Sequence, residues 1–467
     1  GSCEILMRLT VGELAKATNG TILYGNASDT FRFVSIDSRE ELEGKLFVPI
    51  KGANFDGHHY IEKAVSNGAA GDLYAKGEQK QIPGKFAVLV SDTKKALGAL
   101  AGYVLEKSNA KVIGITGSVG KTTTRQFIAQ VVSTLGKTLA TQGNFNNDIG
   151  MPLTILKMEG DELFAVLEMG MNSLGEIEVL ANIVRPDTGI ITNVGTAHIE
   201  NLGSRENILK AKTEMFTYFG AKNRAVINGD NDMLRTLNDK RYPIITYGLE
   251  AHNTCRAVDI VEKGEEGTDF SVLYEGQKEQ YSLPLPGIHN VYNALSAICV
   301  GKLYGLSRNE INQGLMSFRP SKMRMEIFQS RYGAKIINDA YNANPDSMMA
   351  AINVLAGMPC TGRRICILGD MFELGDFARE GHYKVGSFVA EKNIDVVAAV
   401  GKQAKQIVNG ASLAGRNMLL YCFDSNEEVI MNLGNMIKND DLILIKGSRG
   451  MHMETIVESL REGRSHK

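Results

Sequence analysis

The sequence predicts an α/β protein of three domains, and three observations lead to this prediction. The chain has 467 residues, which is enough for about three domains of ordinary size. Short apolar stretches alternate with stretches of helical period along most of its length. One apolar stretch runs directly into a glycine-rich turn at residues 117–122, where a parallel sheet typically presents a phosphate-binding loop (P-loop).

The first domain is predicted to cover residues 7–109 as a small α/β unit. Strands are expected in FRFVSID, KLFVPIKG and KFAVLV, at residues 31–37, 45–52 and 85–90. Helices are expected over Val11–Thr18, near Tyr60–Asn67 and over Thr93–Leu105. Asp92 is predicted to cap the last of these helices, and the polar residues 107–109 mark the domain boundary.

The second domain is predicted over residues 110–317 as a parallel sheet with helices on both faces. Beyond the strand that precedes the glycine-rich turn, its apolar strands are FAVLEMG, TGIITNVG, RAVINGD and PIITYG. Between Ala257 and Leu283 the pattern changes to alternating segments separated by turns, which indicates an antiparallel meander at the sheet edge. A helix over Asn290–Tyr304 is expected to close the domain.

The third domain is predicted over residues 318–467 as a doubly wound, Rossmann-like α/β unit. Its strand-like stretches are KIINDAY, RRICILGD, DVVAAVG, NMLLYCF and LILIKGS, and helical stretches lie between them. No internal repeat or low-complexity segment interrupts this pattern, so an extended repeat protein is not expected.

Charge and cysteine usage exclude several classes of partner. Lys and Arg number 51, Asp and Glu number 53, and the formal net charge is −2. This balance lacks the basic excess that attracts nucleic acid or anionic membranes, so neither partner is expected. The six cysteines lack CxxC spacing, which predicts reduced thiols in a cytoplasmic protein. No run of about eighteen apolar residues occurs, so membrane insertion is not expected.

The glycine-rich turn is the strongest single indication of chemistry. Lys111–Thr116 is predicted to be a buried strand, and a helix is predicted to begin at Lys121 or Thr122. The unpaired N–H groups of that helix suit a triphosphate, with Lys121 on its β and γ phosphates and the Thr122 hydroxyl on Mg²⁺. Ile115 stands where the usual motif has glycine. A turn that only joins strand to helix is the alternative, but it leaves Lys121 and three successive threonines unexplained.

Three further polar residues, Glu168, His198 and Lys212, are expected near the carboxyl ends of the central strands, where parallel sheets bind their ligands. Glu168 can offer a carboxylate oxygen to a hard cation and His198 a nitrogen, whereas an ammonium at Lys212 would repel metal. The structural alternatives are a solvated strand end, a structural histidine and a surface helix lysine. The residues alone favour metal binding by Glu168, leave His198 open, and favour the surface interpretation of Lys212.

Two loops are rich in side chains that could bind a polar substrate. Residues 144–156, NFNNDIGMPLTIL, hold three asparagines and an aspartate before a helical stretch, where helix capping and Asx turns are equally good interpretations. Residues 338–348, NDAYNANPDSM, combine Asp339, Tyr341 and Asn344 at a strand end. An aromatic face beside amide groups suits a purine base.

The order of these motifs along the chain resembles the Mur ligases. The motifs that carry the resemblance are TGSVGKTTT, NFNNDIGMPLTIL, EMGMNSLGEI, TNVGTAHIENLGS, AKTEMF, GIHNVYNALSA, NDAYNANPDSM, LGDMFELG and IKGSRGMHME. The N-terminal stretch VSIDSREELEGKLFVPIKGANFDGHHYIEKA is similar to the uridine-nucleotide domain of that family. The resemblance therefore covers essentially the whole chain.

The resemblance implies an enzyme that uses ATP and two Mg²⁺ ions. Lys121 and Thr122 would bind phosphates and metal, Glu168 and His198 would be further metal ligands, and Lys212 would be a carbamate instead of an amine. The expected catalytic residues are Lys121, Glu168, His198 and Lys212. The other implied ATP contacts are Gly117, Ser118, Gly120, Thr123, Asn293, Arg324, Asp339, Tyr341 and Asn344. Because some of them belong to the third domain, domain closure is expected to assemble the site.

The resemblance also implies the substrates. YNANPDSM and GDMFELG are similar to the branch of the family that adds D-alanyl-D-alanine to UDP-N-acetylmuramoyl-tripeptide, and the DNPR motif of other members is absent. A monomer in the cytoplasm is expected. Candidates for the uridine diphosphate end are Ser38, Arg39 and Asp56; candidates for the muramoyl-peptide are Asn146, Asn147, Asn172 and Ser173.

Other classes share part of these features. Another Mur-type or a folylpolyglutamate-type ligase is the nearest alternative, although the uridine-type N-terminal domain argues against the latter. A P-loop kinase would need no amine co-substrate, and a nucleotide-gated binding module would use hydrolysis only to switch conformation. The third residue of the tripeptide, lysine or diaminopimelate, stays open.

Overall fold

The computed structural model describes residues 8–75 and 84–461. Within these residues the strands form a two-stranded pair and three larger sheets, of five, nine and six strands. Helices pack on the sheets, so the predicted α/β architecture of three domains is confirmed. The residue boundaries expected at 109 and 317 stay predictions.

The N-terminal domain is built on the five-stranded sheet, in the order β2-β7-β6-β5-β4, beside the pair β1-β3. These strands are β1 (Leu9–Thr10), β2 (Thr21–Tyr24), β3 (Thr30–Phe31), β4 (Val34–Ser35), β5 (Leu46–Phe47), β6 (Gly71–Ala75) and β7 (Phe86–Val90). The helices are α1 (Val11–Thr18), α2 (Ile61–Ser66) and α3 (Thr93–Ser108).

The predicted N-terminal helices are confirmed, and the predicted strands are shorter than expected. Asp92 caps α3 by accepting a hydrogen bond from the Lys95 amide, and the helix continues to Ser108 before Asn109 ends it with φ of 59°. The stretch at residues 31–37 forms parts of two strands instead of one. Phe33 lies between them with φ of 66°, a left-handed conformation that breaks an extended strand.

The central domain is built on the nine-stranded sheet, in the order β16-β15-β14-β13-β12-β11-β8-β10-β9. Its strands are β8 (Lys111–Thr116), β9 (Thr138–Ala140), β10 (Phe164–Glu168), β11 (Thr188–Ile191), β12 (Arg224–Asn228), β13 (Ile244–Gly248), β14 (Cys255–Glu262), β15 (Thr268–Tyr274) and β16 (Gln277–Leu283). Its helices are α4 (Lys121–Val132), α5 (Gly150–Ile155), α6 (Glu176–Val184), α7 (Ile199–Leu202), α8 (Arg205–Thr213), α9 (Ile288–Leu303) and α10 (Arg308–Met316).

The predicted centre and edge of this sheet are confirmed, but its last helix was not predicted. Strand β8 lies between β10 and β11 and is parallel to both, while β14, β15 and β16 form the antiparallel meander. Helix α9 does not close the domain, because α10 follows it. Gly305 separates the two helices with φ of 80°, and Ser307 and Glu310 form a capping box that begins α10.

The third domain is built on the six-stranded sheet, in the order β17-β18-β22-β19-β20-β21. Its strands are β17 (Glu326–Gln329), β18 (Lys335–Asn338), β19 (Arg364–Gly369), β20 (Val396–Val400), β21 (Leu419–Phe423) and β22 (Leu442–Lys446). Its helices are α11 (Pro345–Gly357), α12 (Ala378–Ala390), α13 (Lys405–Ala411), α14 (Asn426–Met436) and α15 (Glu454–Leu460). The five predicted strands are confirmed and parallel; the antiparallel edge strand β17 was not predicted.

The N-terminal and central domains share one apolar core. Buried Leu100 and Val104 of α3 belong to the same cluster as Met151 of α5 and Leu180 of α6. Only Asn109 and Ala110 separate α3 from β8. The third domain has apolar clusters on its own sheet. The first two domains are therefore joined through their interiors, unlike the third.

The cysteines in the described residues, Cys255, Cys299, Cys360, Cys366 and Cys422, are free thiols, and Cys3 lies outside the described residues. Over residues 8–75 and 84–461, no helix has the length and apolar character needed to span a bilayer.

Candidate functional site

The predicted P-loop lies at the carboxyl end of β8. Helix α4 begins at Lys121, as expected, and the Lys121 Nζ donates a hydrogen bond of 2.9 Å to the Gly117 carbonyl. A side chain at either glycine of the turn would collide with a neighbour: a Cβ at Gly117 would lie 1.8 Å from the Thr192 hydroxyl, and one at Gly120 would lie 2.6 Å from Asn293 Oδ1. Both glycines are therefore required by packing as well as by conformation.

Asn193 holds this loop in shape, and the sequence did not single it out. Its Oδ1 accepts hydrogen bonds from the amides of Ser118, at 3.0 Å, and Val119, at 2.8 Å. Its Nδ2 donates to the Val119 carbonyl, which also accepts from the Thr192 hydroxyl at 2.6 Å. An asparagine directly after a parallel strand was the available signal.

Glu168 is buried, so the solvated strand end considered for it is wrong. It is 2% exposed at the end of β10, and its Oε2 accepts a 2.7 Å hydrogen bond from Arg125 of α4. Asn146 Nδ2 donates to Oε1 at 3.3 Å. Arg125 was missed because arginine on a helix after a P-loop has no distinctive spacing. The carboxylate thus lies between the asparagine-rich loop and the P-loop helix.

His198 lies where the loop after β11 turns into α7, with φ of 65°. Its Nδ1 is 3.2 Å from a carboxylate oxygen of Glu373 in the third domain, but without the geometry of a hydrogen bond. Burial lowers the pKa of His198 to about 4, and the positive charges of Lys121 and Lys212 act in the same direction. The imidazole is therefore neutral at pH 7, the form that can bind a metal.

Lys212 is not a surface lysine, so the interpretation favoured by the residues alone is wrong. It is 2% exposed on α8, next to buried Ala211. Its Nζ makes no hydrogen bond or ion pair with the described residues, although the Nζ atom itself is not fully shielded from solvent. Burial, and secondly Lys121, places the pKa of Lys212 well below its ordinary value. A buried, unpaired amine of this kind is unusual and needs a chemical explanation.

The third domain contributes a stacked arginine and a buried ion pair. The Arg324 guanidinium lies 4.1 Å from the centroid of the Tyr341 ring, and the Tyr341 hydroxyl accepts a hydrogen bond from Asn144. Lys446, at the end of β22, donates 2.7 Å to Asp339 Oδ2. Asp339 Oδ1 accepts from the Met325 amide at 3.2 Å. Lys446 was quoted in a motif but not predicted as a site residue.

Most of these side chains face one polar cavity of about 400 Å³ between the central and third domains, whereas Arg125 and Lys212 do not line it. The predicted residues that line it are Ser118, Gly120, Lys121, Thr122, Asn146, Asn147, Glu168, Asn172, His198, Arg324, Asp339, Tyr341 and Asn344. A smaller cavity of about 110 Å³ adjoins it and is lined by Thr123 and Asn293. Gly117, Ser173 and Lys212 lie outside both linings. A larger groove beside α3 and α6 contains none of the predicted site residues.

Contacts between the two domains are present on both sides of this cavity. Gln126 Nε2 donates to the Ser321 hydroxyl at 2.9 Å, and the Glu200 amide donates to the Glu373 carbonyl at 3.4 Å. Asn344 caps α11 by accepting from the Ser347 amide. The third-domain residues therefore already lie against the P-loop in this arrangement.

The candidates for the uridine end do not reach this cavity. Asp56 accepts hydrogen bonds from the His58 amide and ring, and the Ser38 carbonyl accepts from Asn67. Arg39 is exposed and pairs with Asp37 at 2.9 Å. Among the muramoyl-peptide candidates, Asn147 Oδ1 accepts hydrogen bonds from the Ile149 and Gly150 amides just before α5, which is the Asx-turn interpretation and not a helix cap. The Ser173 hydroxyl donates to Glu176.

A second cluster has the composition of a metal site but is structural. Ligand atoms of Asp230, Glu250 and His252 lie within 4.8 Å of one another. Asp230 already accepts hydrogen bonds from the Leu249 amide, from Asn253 and from the Tyr292 hydroxyl, at 2.6 to 2.7 Å. Its carboxylate therefore fixes the loop after β13.

The cavity has the charges that a polyphosphate needs. Lys121, Arg324 and Lys446 line it together with the carboxylates of Glu168, Glu176 and Asp339, and the N-terminus of α4 points into the same space. A P-loop at the end of a parallel sheet, facing a second α/β domain across a polar cavity, defines a nucleotide-dependent transferase or ligase. The comparisons with known proteins decide between these.

Three family descriptions match the chain: Mur ligase family, catalytic domain, at residues 30–103; Mur ligase middle domain, at 115–301; and Mur ligase, glutamate ligase domain, at 323–449. The UDP-N-acetylmuramoyl-tripeptide–D-alanyl-D-alanine ligase of Bacillus subtilis is 36% identical over 98% of this chain and 99% of its own length. The chain belongs to the Mur ligase family.

Solved structures agree with this assignment. A crystal structure of MurF from Acinetobacter baumannii is 31% identical, covers 97% of this chain and 98% of its own, and has a TM-score of 0.89. MurF ligase from Thermotoga maritima in complex with ADP is 27% identical, covers 92% and 96%, and has a TM-score of 0.81.

Proposed function

We propose that this protein is an ATP-dependent ligase that joins D-alanyl-D-alanine to UDP-N-acetylmuramoyl-tripeptide, a step of peptidoglycan precursor synthesis. The observation that carries the proposal is the cavity where the P-loop and the third domain meet, in a chain that matches ligases of this name over its full length. The reaction consumes ATP and a nucleotide-linked precursor, so the cytoplasm is its expected location, and a monomer is the expected state.

The reaction proceeds through an acyl phosphate. The terminal carboxylate of the tripeptide attacks the γ-phosphorus of ATP, and ADP leaves. The amine of the dipeptide then attacks the activated carbonyl, loses a proton, and expels inorganic phosphate as the amide forms. Phosphoryl transfer depends mainly on positioning and charge neutralisation. Lys121 and the N-terminus of α4 would neutralise the phosphates, and Arg324, stacked on Tyr341, would hold the nucleotide from the third domain.

The donor set fits a magnesium site with one reservation. Glu168 offers a buried carboxylate, Thr122 a hydroxyl at the start of α4, and His198 a buried Nδ1 that lacks a hydrogen-bond partner. When bound, Mg²⁺ would neutralise phosphate charge and align the reacting oxygens. Lys212 fits only if it is modified, because an ammonium would repel the cation. The two-ion arrangement is part of this proposal.

We infer that Lys212 carries a carbamate. Its Nζ adds to the carbon of CO₂ and releases a proton. This reaction replaces the amine by an anion with two oxygen ligands. The lowered pKa of Lys212 and the burial of its side chain support this, since burial favours the neutral amine that reacts. Lys212→Ala is expected to lose most activity and to regain part of it with added acetate. Labelled CO₂ should give a carbamate signal in NMR spectra of wild type only; an identical signal in Lys212→Ala would contradict the assignment.

The function is tested by phosphate release with purified substrates. Release of phosphate is expected only when UDP-N-acetylmuramoyl-tripeptide and D-alanyl-D-alanine are both present, with the pentapeptide detected by mass spectrometry. Release without the dipeptide would favour the kinase or the nucleotide-gated module. Preference for a free amino acid such as diaminopimelate would place the protein elsewhere in the family. Parallel reactions with the lysine and diaminopimelate tripeptides identify the third residue.

A further inference from the structure

Residues 192–196, which follow β11, form a brace behind the P-loop. Thr192 and Asn193 bind the loop through the Val119 carbonyl and the amides of Ser118 and Val119. The Gly195 amide donates to the Ser118 hydroxyl at 2.9 Å. The position of the P-loop backbone therefore depends on the position of this brace.

Two side chains of the central domain hold the middle of the brace. Arg205 donates 2.5 Å to the Val194 carbonyl while it forms a two-point ion pair with Asp232, at 2.6 and 2.7 Å. Asn231 donates to the same carbonyl at 3.4 Å. These bonds fix Val194 but leave the end of the brace, Gly195 and Thr196, to be held from elsewhere.

Asp346 of the third domain holds that end. Its Oδ2 accepts a 3.2 Å hydrogen bond from the Thr196 amide, and it lies so close to Gly195 that a Cβ there would be 2.0 Å from this oxygen. Beside it, Asn344 Nδ2 lies 3.5 Å from the Ser118 carbonyl. Asp346 is thus a third-domain side chain that contacts the brace directly, two residues from one that contacts the P-loop.

We propose that Asp346 is a positioning residue for the P-loop: by holding Gly195 and Thr196, it makes the geometry of the phosphate-binding backbone depend on the seating of the third domain. The inference rests on the proposed function and adds to it a coupling between the third domain and the loop that holds ATP. Productive phosphate geometry then requires a seated third domain. Small displacements of such a loop are costly, since about 1 Å of misplacement can reduce turnover about 10²-fold.

The test compares variants on the two sides of the contact. Asp346→Ala removes the acceptor, Asp346→Asn keeps a carbonyl oxygen in place of the carboxylate, and Gly195→Ala pushes Asp346 away. The methyl of Gly195→Ala meets Asp346 first, because the next neighbour, Ser118 Cβ, is at 3.4 Å. Asp424→Ala is the matched control, since Asp424 is a third-domain aspartate with a 75% exposed side chain paired only to Lys405.

Asp346→Ala and Gly195→Ala are each expected to lower kcat about tenfold. They should lower the affinity for a fluorescent ATP analogue by the same factor, because about tenfold is the effect of losing one hydrogen bond to a charged group. Asp346→Asn should recover most of both values, and KM for the UDP substrate should not change. The double variant should be no worse than Asp346→Ala, because removing the carboxylate makes room for the methyl. Thermal unfolding of all variants should match that of Asp424→Ala.

The proposal is overturned if Asp346→Ala retains kcat and nucleotide affinity within about twofold of wild type, or if the two losses multiply in the double variant. Loss of thermal stability in step with activity would also overturn it, since that reports a structural role. These outcomes differ from failure of the proposed function, in which wild type itself would release no phosphate with both substrates. The nucleotide-affinity comparison needs neither co-substrate.

Discussion

The residues around the P-loop show how burial turns ordinary side chains into a binding site. Arg125 is a buried cation and Lys121 a half-buried one, and Glu168 is the buried carboxylate that opposes them. Burial lowers the pKa of Lys121, Glu168 raises it in part, and Arg324 lowers it further. An excess of buried positive charge is unfavourable alone and becomes favourable when an anion enters. The site is therefore predisposed to bind phosphate.

Lys121→Ala is expected to reduce kcat by on the order of 10² or more, because it removes a cation that stabilises charge on the transferred phosphate. The measurement is steady-state phosphate release with both substrates. Lys111→Ala is the control, since Lys111 is an exposed lysine at the start of β8, the strand that leads into the P-loop. Equal kcat in the two variants would remove Lys121 from the mechanism.

A buried carboxyl group outside the cavity lining, Asp72 of β6, also has a pKa altered by burial. The residue is fully buried, and neither carboxylate oxygen has a hydrogen-bond partner among the described residues. Burial raises the pKa of Asp72 to about 8, so the folded protein holds a proton that the unfolded chain releases near pH 4. Between these pH values the unfolded state binds fewer protons, so stability falls as pH rises.

Asp72→Asn is expected to remove this dependence. Its free energy of unfolding should exceed that of wild type by a margin that grows from about pH 4 to pH 8 and then stays constant. Urea denaturation at a series of pH values measures the margin. Asp376→Asn, at an exposed position, should run parallel to wild type. A parallel curve for Asp72→Asn would show that Asp72 ionises normally in the folded protein.

Residue identity alone predicted the P-loop well and Lys212 poorly. The spacing of Gly117, Gly120 and Lys121 favoured a phosphate-binding loop over a turn that only joins strand to helix. Lys212 lies in a stretch of α8 that also carries Lys210 and Glu206, and nothing local distinguishes the buried lysine from its neighbours. Arg125 and Asn193 were missed for the same reason: their partners, Glu168 and the P-loop amides, are distant in sequence.

At the scale of elements, the crossing of α3 and α6 depends on two glycines. A Cβ at Gly98 would lie 2.9 Å from the Ile183 Cδ1, the mobile end of a side chain. A Cβ at Gly102 would lie 2.8 Å from the Ile183 carbonyl oxygen, which the backbone fixes. The same substitution therefore meets a yielding neighbour at one position and a rigid one at the other.

Gly98→Ala is expected to leave the free energy of unfolding unchanged or to raise it by up to about 1 kcal/mol, through helix propensity. Gly102→Ala is expected to lower it by about 1 to 2 kcal/mol, because overpacking against the backbone outweighs that gain. Denaturant titration of the two variants provides the comparison, and each serves as the control for the other. Equal stabilities would mean that the helices separate freely at this crossing.

Elements were predicted where a local signal marked their ends. Asp92 predicted the start of α3, and the alternating pattern after Ala257 predicted the antiparallel meander. Helix α10 was missed although Ser307 and Glu310 form a recognisable capping box, so this error was avoidable. The break at Phe33 was not avoidable, because a left-handed phenylalanine is imposed by surrounding packing and not by its own preference.

At the scale of the whole molecule, the nucleotide cavity joins two domains with separate cores. Ser118 and Lys121 line it from one side and Arg324 and Tyr341 from the other. A ligand that contacts both sides of the cavity therefore stabilises the folded state of both domains. Strand order and this juxtaposition come from contacts between distant residues, so the sequence supported them only through the resemblance to a known family.

Calorimetry tests the joint stabilisation. An ATP analogue at 100 times its Kd is expected to stabilise the bound state by about 2.7 kcal/mol and to raise the unfolding temperatures of the central and third domains together. Arg324→Ala should weaken the shift of the third-domain transition more than that of the central one. A shift confined to the central transition would mean that the third domain contributes little to nucleotide binding.

The two-residue junction between α3 and β8 has a consequence for dissecting the gene. A fragment that begins at Ala110 would lack α3 and so expose the apolar residues Met151 and Leu180, which favours aggregation on expression.

A cut after Phe318 is different, because the Phe318 ring stays 4.5 Å from Phe127 inside the central core. The contacts that this cut breaks include the polar ones from Gln126 to Ser321 and from Thr196 to Asp346. Truncations intended to yield a folded ATP-binding fragment should therefore keep the N-terminal domain and end after Phe318.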